Sequence, residues 1–183
     1  FYRLGDFYEM FFEDAKLVSQ ELDLVLTGRS AGVEEKVPMC GIPFHAANSY
    51  IQRLVKKGYK VAICEQLEDP SSAKGLVDRG IIKIITPGTY MDATMDAKST
   101  NYMASCDVSS FEITVIYCEL STGELKYQTL QRSLVALQKA LLEQNVSELV
   151  CPMTMDKKWM AALEEMDTML ISKHKKANID PED

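Results

Sequence analysis

Phe1-Tyr2-Arg3-Leu4-Gly5-Asp6-Phe7-Tyr8-Glu9-Met10-Phe11-Phe12 opens the chain and decides its class. Phe1–Leu4 reads as a short strand. Gly5-Asp6 interrupts it. From Tyr8 onward, apolar residues recur at Phe11, Phe12, Ala15, Val18 and Leu22, the three- and four-residue spacing of a helix with one buried stripe. A strand passing directly into an amphipathic helix predicts an α/β layer.

The same alternation continues outward. Leu24–Thr27 predicts a second strand. Residues 28–46, punctuated by Gly28, Gly32, Pro38, Gly41 and Pro43, predict a long loop. A helix is expected from about Ala47 to Lys57 with Gly58 as its stop. Lys60–Gln66 and Ile81–Thr86 read as strands, the latter closed by Pro87-Gly88. Residues 1–90 are therefore expected to form a small mixed-sheet α/β domain. The stretch around Met91-Asp92-Ala93-Thr94-Met95-Asp96 has no period, so residues 91–104 read as a linker.

A second domain is expected over residues 105–183. Phe111–Leu120 alternates as a strand, Ser121-Thr122-Gly123-Glu124 signals a hairpin, and Leu125–Leu130 returns. Ser133 caps a helix to about Gln144, with Leu134, Leu137, Leu141 and Leu142 on one face. A strand at Leu149–Cys151, a helix at Met155–Met166 and a strand at Met169–Ser172 follow. This element order is that of a ribonuclease-H-like α/β fold, here incomplete. The chain opens within an apolar run rather than at Met, so it reads as trimmed from a longer protein.

Composition narrows the function. The 183 residues are 46% hydrophobic and 26% charged, an ordinary globular balance. No apolar run approaches the roughly 18 residues of a membrane span, and no secretory signal opens the chain. The five cysteines show no C-x-x-C spacing, and with two histidines they read as buried thiols of a reducing cytosol rather than a zinc site. Net charge is −7, with 11 Lys+Arg against 12 Asp+Glu in residues 1–90 and 9 against 15 thereafter. Neither half has the basic surplus of a domain that grips DNA alone, so other parts of a longer protein would have to supply most phosphate contacts. The acids of the second domain, Asp107, Glu112 and Glu119, are not matched within Leu149–Cys151 or Met169–Ser172, which argues against a two-metal nuclease. The absence of a G-x-x-x-x-G-K-[ST] loop argues against ATP hydrolysis by this segment.

Asp6 and Glu9 have the spacing of a helix capping box. Against that reading, Phe7 lies at the flank of the helical stripe and Glu9 outside it. A partly exposed phenylalanine at an element tip is a candidate wedge for a base stack, because unstacking costs a few kcal/mol and less at a mispair. A glutamate beside DNA repels phosphate and makes sense only if aimed at a base edge. Residues two apart do not face each other on a helix, so both could reach one base only from extended backbone. Cap and base reader both stand at this point. In the loop around Pro38–His45, Ile42 and Phe44 are expected in the core and Met39 as a flexible apolar candidate for a groove. Arg29 is a phosphate contact or a solvated cation, and Lys56, Lys57 and Lys60 a solvated helix end.

Four blocks resemble one known family: Phe1–Phe11; Pro38-Met39-Cys40-Gly41-Ile42-Pro43-Phe44-His45-Ala46; Val61-Ala62-Ile63-Cys64-Glu65-Gln66; and Ile85-Thr86-Pro87-Gly88-Thr89. In order and spacing they look like the start of bacterial MutS, with the second half similar in pattern to its connector domain. The resemblance implies a mismatch-recognition domain followed by a ribonuclease-H-like connector. It implies that Phe7 stacks on a mispaired base from the minor groove and Glu9 hydrogen-bonds to it, with Arg29 and Met39 at nearby DNA-contacting positions. It further implies a homodimeric parent that binds ATP and Mg through domains outside this chain, no cofactor or catalytic residue within it, a MutL-type repair partner, and a cytoplasmic, nucleoid-associated setting.

Overall fold

In a computed structural model of the chain, residues 1–30, 32, 36–68, 77–91 and 101–174 are described. The chain divides into two units, Phe1–Thr86 and Pro87–Asp183. Both are α/β, each built on its own mixed sheet. No helix among the described residues is long and apolar enough to cross a membrane.

The first unit runs β1 (Tyr2–Leu4), β2 (Phe7–Phe11), α1 (Phe12–Leu22), β3 (Thr27–Arg29), β4 (Val37–Pro43), a 3-10 turn at Phe44–Ala46, α2 (Ala47–Lys56), β5 (Val61–Gln66) and β6 (Arg79–Ile85). The sheet order is β3-β4-β2-β1-β5-β6. All neighbours are antiparallel except β1 and β5. One face is covered. Tyr8 and Met10 of β2, Cys40 and Ile42 of β4, and Val61 and Ile63 of β5 are buried, as are Ala15, Val18 and Leu22 of α1 and Ile51, Leu54 and Val55 of α2. Gly58, with φ of 86°, ends α2 in the left-handed conformation that glycine adopts without a Cβ penalty.

Several expectations fail here. The strand expected over Leu24–Thr27 is displaced to Thr27–Arg29, and residues 24–26 are irregular. Tyr8 to Phe11 is strand, not helix: α1 starts at Phe12, its N-cap is Phe11, and no side chain caps it. The capping box of Asp6 and Glu9 does not form. Phe12 itself takes φ of 52°, and this left-handed residue separates strand from helix. The helical period read from Tyr8 arose because the alternation of β2 happens to continue into the stripe of α1. The loop expected over 28–46 contains β4. Its prolines, which remove ladder donors, masked a strand that is paired on both sides. Within it Ile42 is fully buried as expected, whereas Phe44, just beyond it, is exposed.

The second unit runs β7 (Tyr102–Val108), β8 (Glu112–Glu119), β9 (Glu124–Gln131), α3 (Leu134–Glu143), β10 (Val146–Pro152), α4 (Lys157–Glu164) and β11 (Leu170–His174). Strands β7, β8 and β9 form an antiparallel meander, and β10 and β11 add in parallel on the other side of β7, giving the order β11-β10-β7-β8-β9. This is an α/β layer, as expected from the alternation of elements. Its core joins Tyr102, Ala104, Cys106, Ile113, Val115 and Tyr117 of the sheet to Leu137, Leu141, Met160 and Leu163 of the helices. Ser133 caps α3, and Asp156 caps α4 by accepting from the Lys158 and Trp159 amides. All five cysteines are free, with Cys40, Cys106 and Cys151 buried.

Strand β7 was missed from sequence, and its first three residues, 102–104, fall in the end of the stretch read as a linker. Residues 92–100 of that stretch lie outside the described residues. Strand β10 is longer than expected and does carry an acid. Glu148 is buried, accepting from Ser172 Oγ and from the Gly88 amide at 3.1 Å.

Glu119, weighed above as a nuclease acid, ties the β8–β9 turn. Its carboxylate accepts from the hydroxyls of Ser121 and Thr122, both at 2.7 Å, and from the Thr122 amide at 2.8 Å. These bonds pull its carboxyl down to about 2. A depressed carboxylate contributes stability above its unfolded value, here about 4.5, and loses it as pH falls toward about 2. Glu119→Gln is therefore expected to lower the melting temperature of the second unit at pH 7. The gap from the parent sequence should narrow below about pH 4.5 and close near pH 2. Thermal melts across that range check it; an equal loss at both ends would show that charge has no part.

Candidate nucleic-acid interface

The face of the first sheet opposite α1 and α2 carries the residues singled out from sequence. In an antiparallel ladder, directly paired residues share a face, and so do residues two apart on one strand. Phe7 pairs with Leu4 and Pro43, and Glu9 with Tyr2 and Gly41. Phe11 pairs with Met39, Met39 with Thr27, and Val37 with Arg29. Phe7, Glu9, Met39 and Arg29 therefore all project from one face, the one that neither α1 nor α2 covers. Tyr8 and Met10, between them in sequence, point into the core.

Phe7 is 48% exposed and is the first residue of β2. The β1–β2 connection is only Gly5-Asp6, and Gly5 adopts φ of 59°, which a two-residue hairpin loop needs and which only glycine takes freely. The loop is pinned. The Phe44 amide donates to Asp6 O at 2.9 Å. Arg3 Nε donates to Gly5 O, and its guanidinium lies 3.8 Å from the centre of the Phe44 ring, within cation–π range. An exposed aromatic ring thus stands on a braced hairpin rim. Behind it, the Tyr8 hydroxyl donates to Glu65; burial first, then that bond, pushes the phenol up.

Glu9 follows on the same face, one pair along. Sequence reasoning missed its partner: Arg29 Nη1 donates to Glu9 Oε2 at 2.9 Å. The pair reaches across β4, which presents Gly41, without a side chain, directly opposite Glu9. Local sequence carries no trace of this contact, because it depends on β3 and β4 folding back over a stretch that read as loop. Met39 is half-buried, two pairs along from Phe7, or about 14 Å along the strand. It flanks the Glu9–Arg29 pair rather than the Phe7 ring.

The face extends through Tyr2, whose ring meets Phe11 edge-on at 6.4 Å and lies under the Arg79 guanidinium at 5.6 Å. Aromatic rings with interleaved cations on an uncovered sheet can stack on flat rings and meet anionic groups. A single carboxylate among them can accept from an N–H donor. His45 is exposed beside Phe44. Among the described residues no cluster of His, Cys, Asp or Glu could hold a metal ion.

Residues 1–94 match the family profile described as MutS domain I. Curated relatives include the DNA mismatch repair protein MutS of Clostridium botulinum (strain Loch Maree / Type A3), 53% identical over 158 residues, which is 81% of this chain and 17% of the relative. The protein of the same name from Clostridium tetani (strain Massachusetts / E88) is 58% identical over 125 residues, 68% of this chain and 14% of the relative. The chain thus spans about a sixth of the length of the curated relatives it matches. With half of its residues matching the domain I profile, and with relatives of that name more than half identical over most of its length, the chain belongs to the MutS family.

Proposed function

We propose that the first unit inspects duplex DNA for mispaired bases as part of DNA mismatch repair. Phe7 enters the stack from the minor groove at the mispair, and Glu9 accepts a hydrogen bond from the exposed base edge. The observation that carries this reading is the shared, helix-free face of Phe7 and Glu9 on β2. Extended backbone lets residues two apart address one base, which a helix would forbid. A braced hairpin suits a wedge, since a ring that is already ordered loses little conformational freedom on insertion. Arg29 and Met39 extend the DNA-contacting face beyond Glu9. Mispairs select themselves because they are cheaper to unstack.

In the same reading, the parent protein supplies the phosphate contacts that a unit of near-neutral charge lacks. It acts as a homodimer in the bacterial cytoplasm, binding ATP and Mg through other domains, while this chain holds no cofactor. The second unit passes the signal to those domains and to a MutL-type partner. A fluorescence experiment tests the central claim. 2-Aminopurine placed beside a G·T mispair should brighten when a full-length MutS carrying this chain binds, and stay quenched in a matched duplex. Equal signals from both would remove the wedge.

A further inference from the structure

Glu9 poses an electrostatic problem that the sequence posed and the ion pair answers. A carboxylate brought against a duplex meets the field of the phosphates, which repels it. On this sheet the carboxylate is not alone. The Arg29 guanidinium sits 2.9 Å from Glu9 Oε2, with the Glu9 side chain 18% exposed and that of Arg29 53%. The more sheltered partner is the acid, and the cation covers its open side. Arg29 comes from a different strand, two positions away in the sheet, and Glu9 faces glycine at position 41 on the strand between them. Arg79, a second cation beside this face, is held elsewhere, donating to Arg3 O and Val77 O.

We infer that Arg29 is a positioning residue that shields Glu9. It neutralises and orients the carboxylate so that Glu9 can be carried against DNA, and it acts on binding through Glu9 rather than as a phosphate contact of its own. The inference rests on the reading that this face meets DNA. When a base N–H donor reaches Glu9, it competes for an oxygen that is already aligned. In a matched, closed stack no displaced base is carried up to Glu9, so the ion pair stays closed and the acid stays masked.

A double-mutant cycle on matched duplex, in full-length MutS carrying this chain, isolates the shielding because no mispair is involved. Arg29→Ala alone leaves a naked carboxylate facing phosphate and is expected to weaken matched-duplex binding about fivefold at low salt, the upper end for a partly exposed pair. In a Glu9→Gln background the same substitution should cost less than about twofold, since there is no charge left to mask. Arg29→Lys should retain most of the affinity, and the coupling should shrink as salt rises. Equal losses in both backgrounds, with the salt slope falling by about one in each, would make Arg29 an ordinary phosphate contact and overturn the proposal. No loss in either background would also overturn it. The mispair reading fails separately, if Phe7→Ala and Glu9→Gln both leave the preference for G·T intact; Arg29–Glu9 coupling on matched DNA is scored regardless.

Discussion

Phe7→Ala, in a full-length MutS carrying this chain, is expected to abolish the preference for a G·T duplex over a matched one while leaving matched-duplex affinity within about threefold. The argument is one of separable roles. Phe7 is half exposed at the rim of a two-residue hairpin, so its removal opens no core cavity, and fold stability should move by less than about 0.5 kcal/mol. What is lost is the stacking surface, worth about 1–3 kcal/mol per base when an aromatic side chain is truncated. That range corresponds to roughly five- to more than a hundredfold in binding. The loss falls on the mispaired complex, because only there is the stack opened. Competition binding with the two duplexes measures the ratio. A mutant that kept full discrimination would show that the ring does not enter the helix.

The second large effect concerns stability. Gly88→Ala is expected to destabilise the second unit by about 3 kcal/mol. A Cβ at this position would lie 2.8 Å from Glu148 Cβ, 2.9 Å from Glu148 Oε2 and 3.1 Å from Met103 Cβ. Two of those neighbours are atoms fixed to sheet backbone and cannot swing away. Overpacking of this kind costs about 1–3 kcal/mol. The Gly88 amide also donates to the buried Glu148 carboxylate, and displacing it strands a buried acceptor at a further cost of about 1–3 kcal/mol. Urea unfolding of the isolated chain, followed by Trp159 fluorescence, reports on this unit directly. Glu148→Ala should remove the stranded acceptor and the Oε2 contact while leaving the Cβ clash, so the double substitution should cost less than the sum of the singles. Full additivity would mean that the glycine is tolerated for another reason.

Much of the fold was legible because it obeys single-period rules. The Ser121–Glu124 hairpin signal, the Ser133 cap, α2 with its Gly58 stop, and the order of strands and helices after β7 in the second unit all follow from local chemistry. Errors gathered where two periods or two roles overlap. Tyr8 and Met10 alternate as strand residues, yet Tyr8 also fits the three-four spacing of α1, and nothing local marks the left-handed turn at Phe12. Pro38 and Pro43 said loop, but long-range pairing to β2 and β3 overrode them. Strand β7 was hidden by small and polar residues, Ser105 and Asp107, at alternate positions facing away from the core. At the site, the residue types were readable and their grouping was not. Sequence offered Phe7 and Glu9 as a pair and left Arg29 without a role; only the sheet brings Arg29 to Glu9.

Strand β2 is clamped on both sides, by β1 and by β4. Its register therefore cannot drift without breaking two ladders at once. Inserting or deleting one residue between Gly5 and Glu9 would send Tyr8 or Met10 outward, or turn Phe7 and Glu9 toward the helices, because each step along a strand reverses the side. Reader and core are thus locked to opposite parities of the same five residues. Changes of spacing in this strand are permitted only in twos, and a lineage that breaks the parity forfeits the probe and the packing beneath it in a single event.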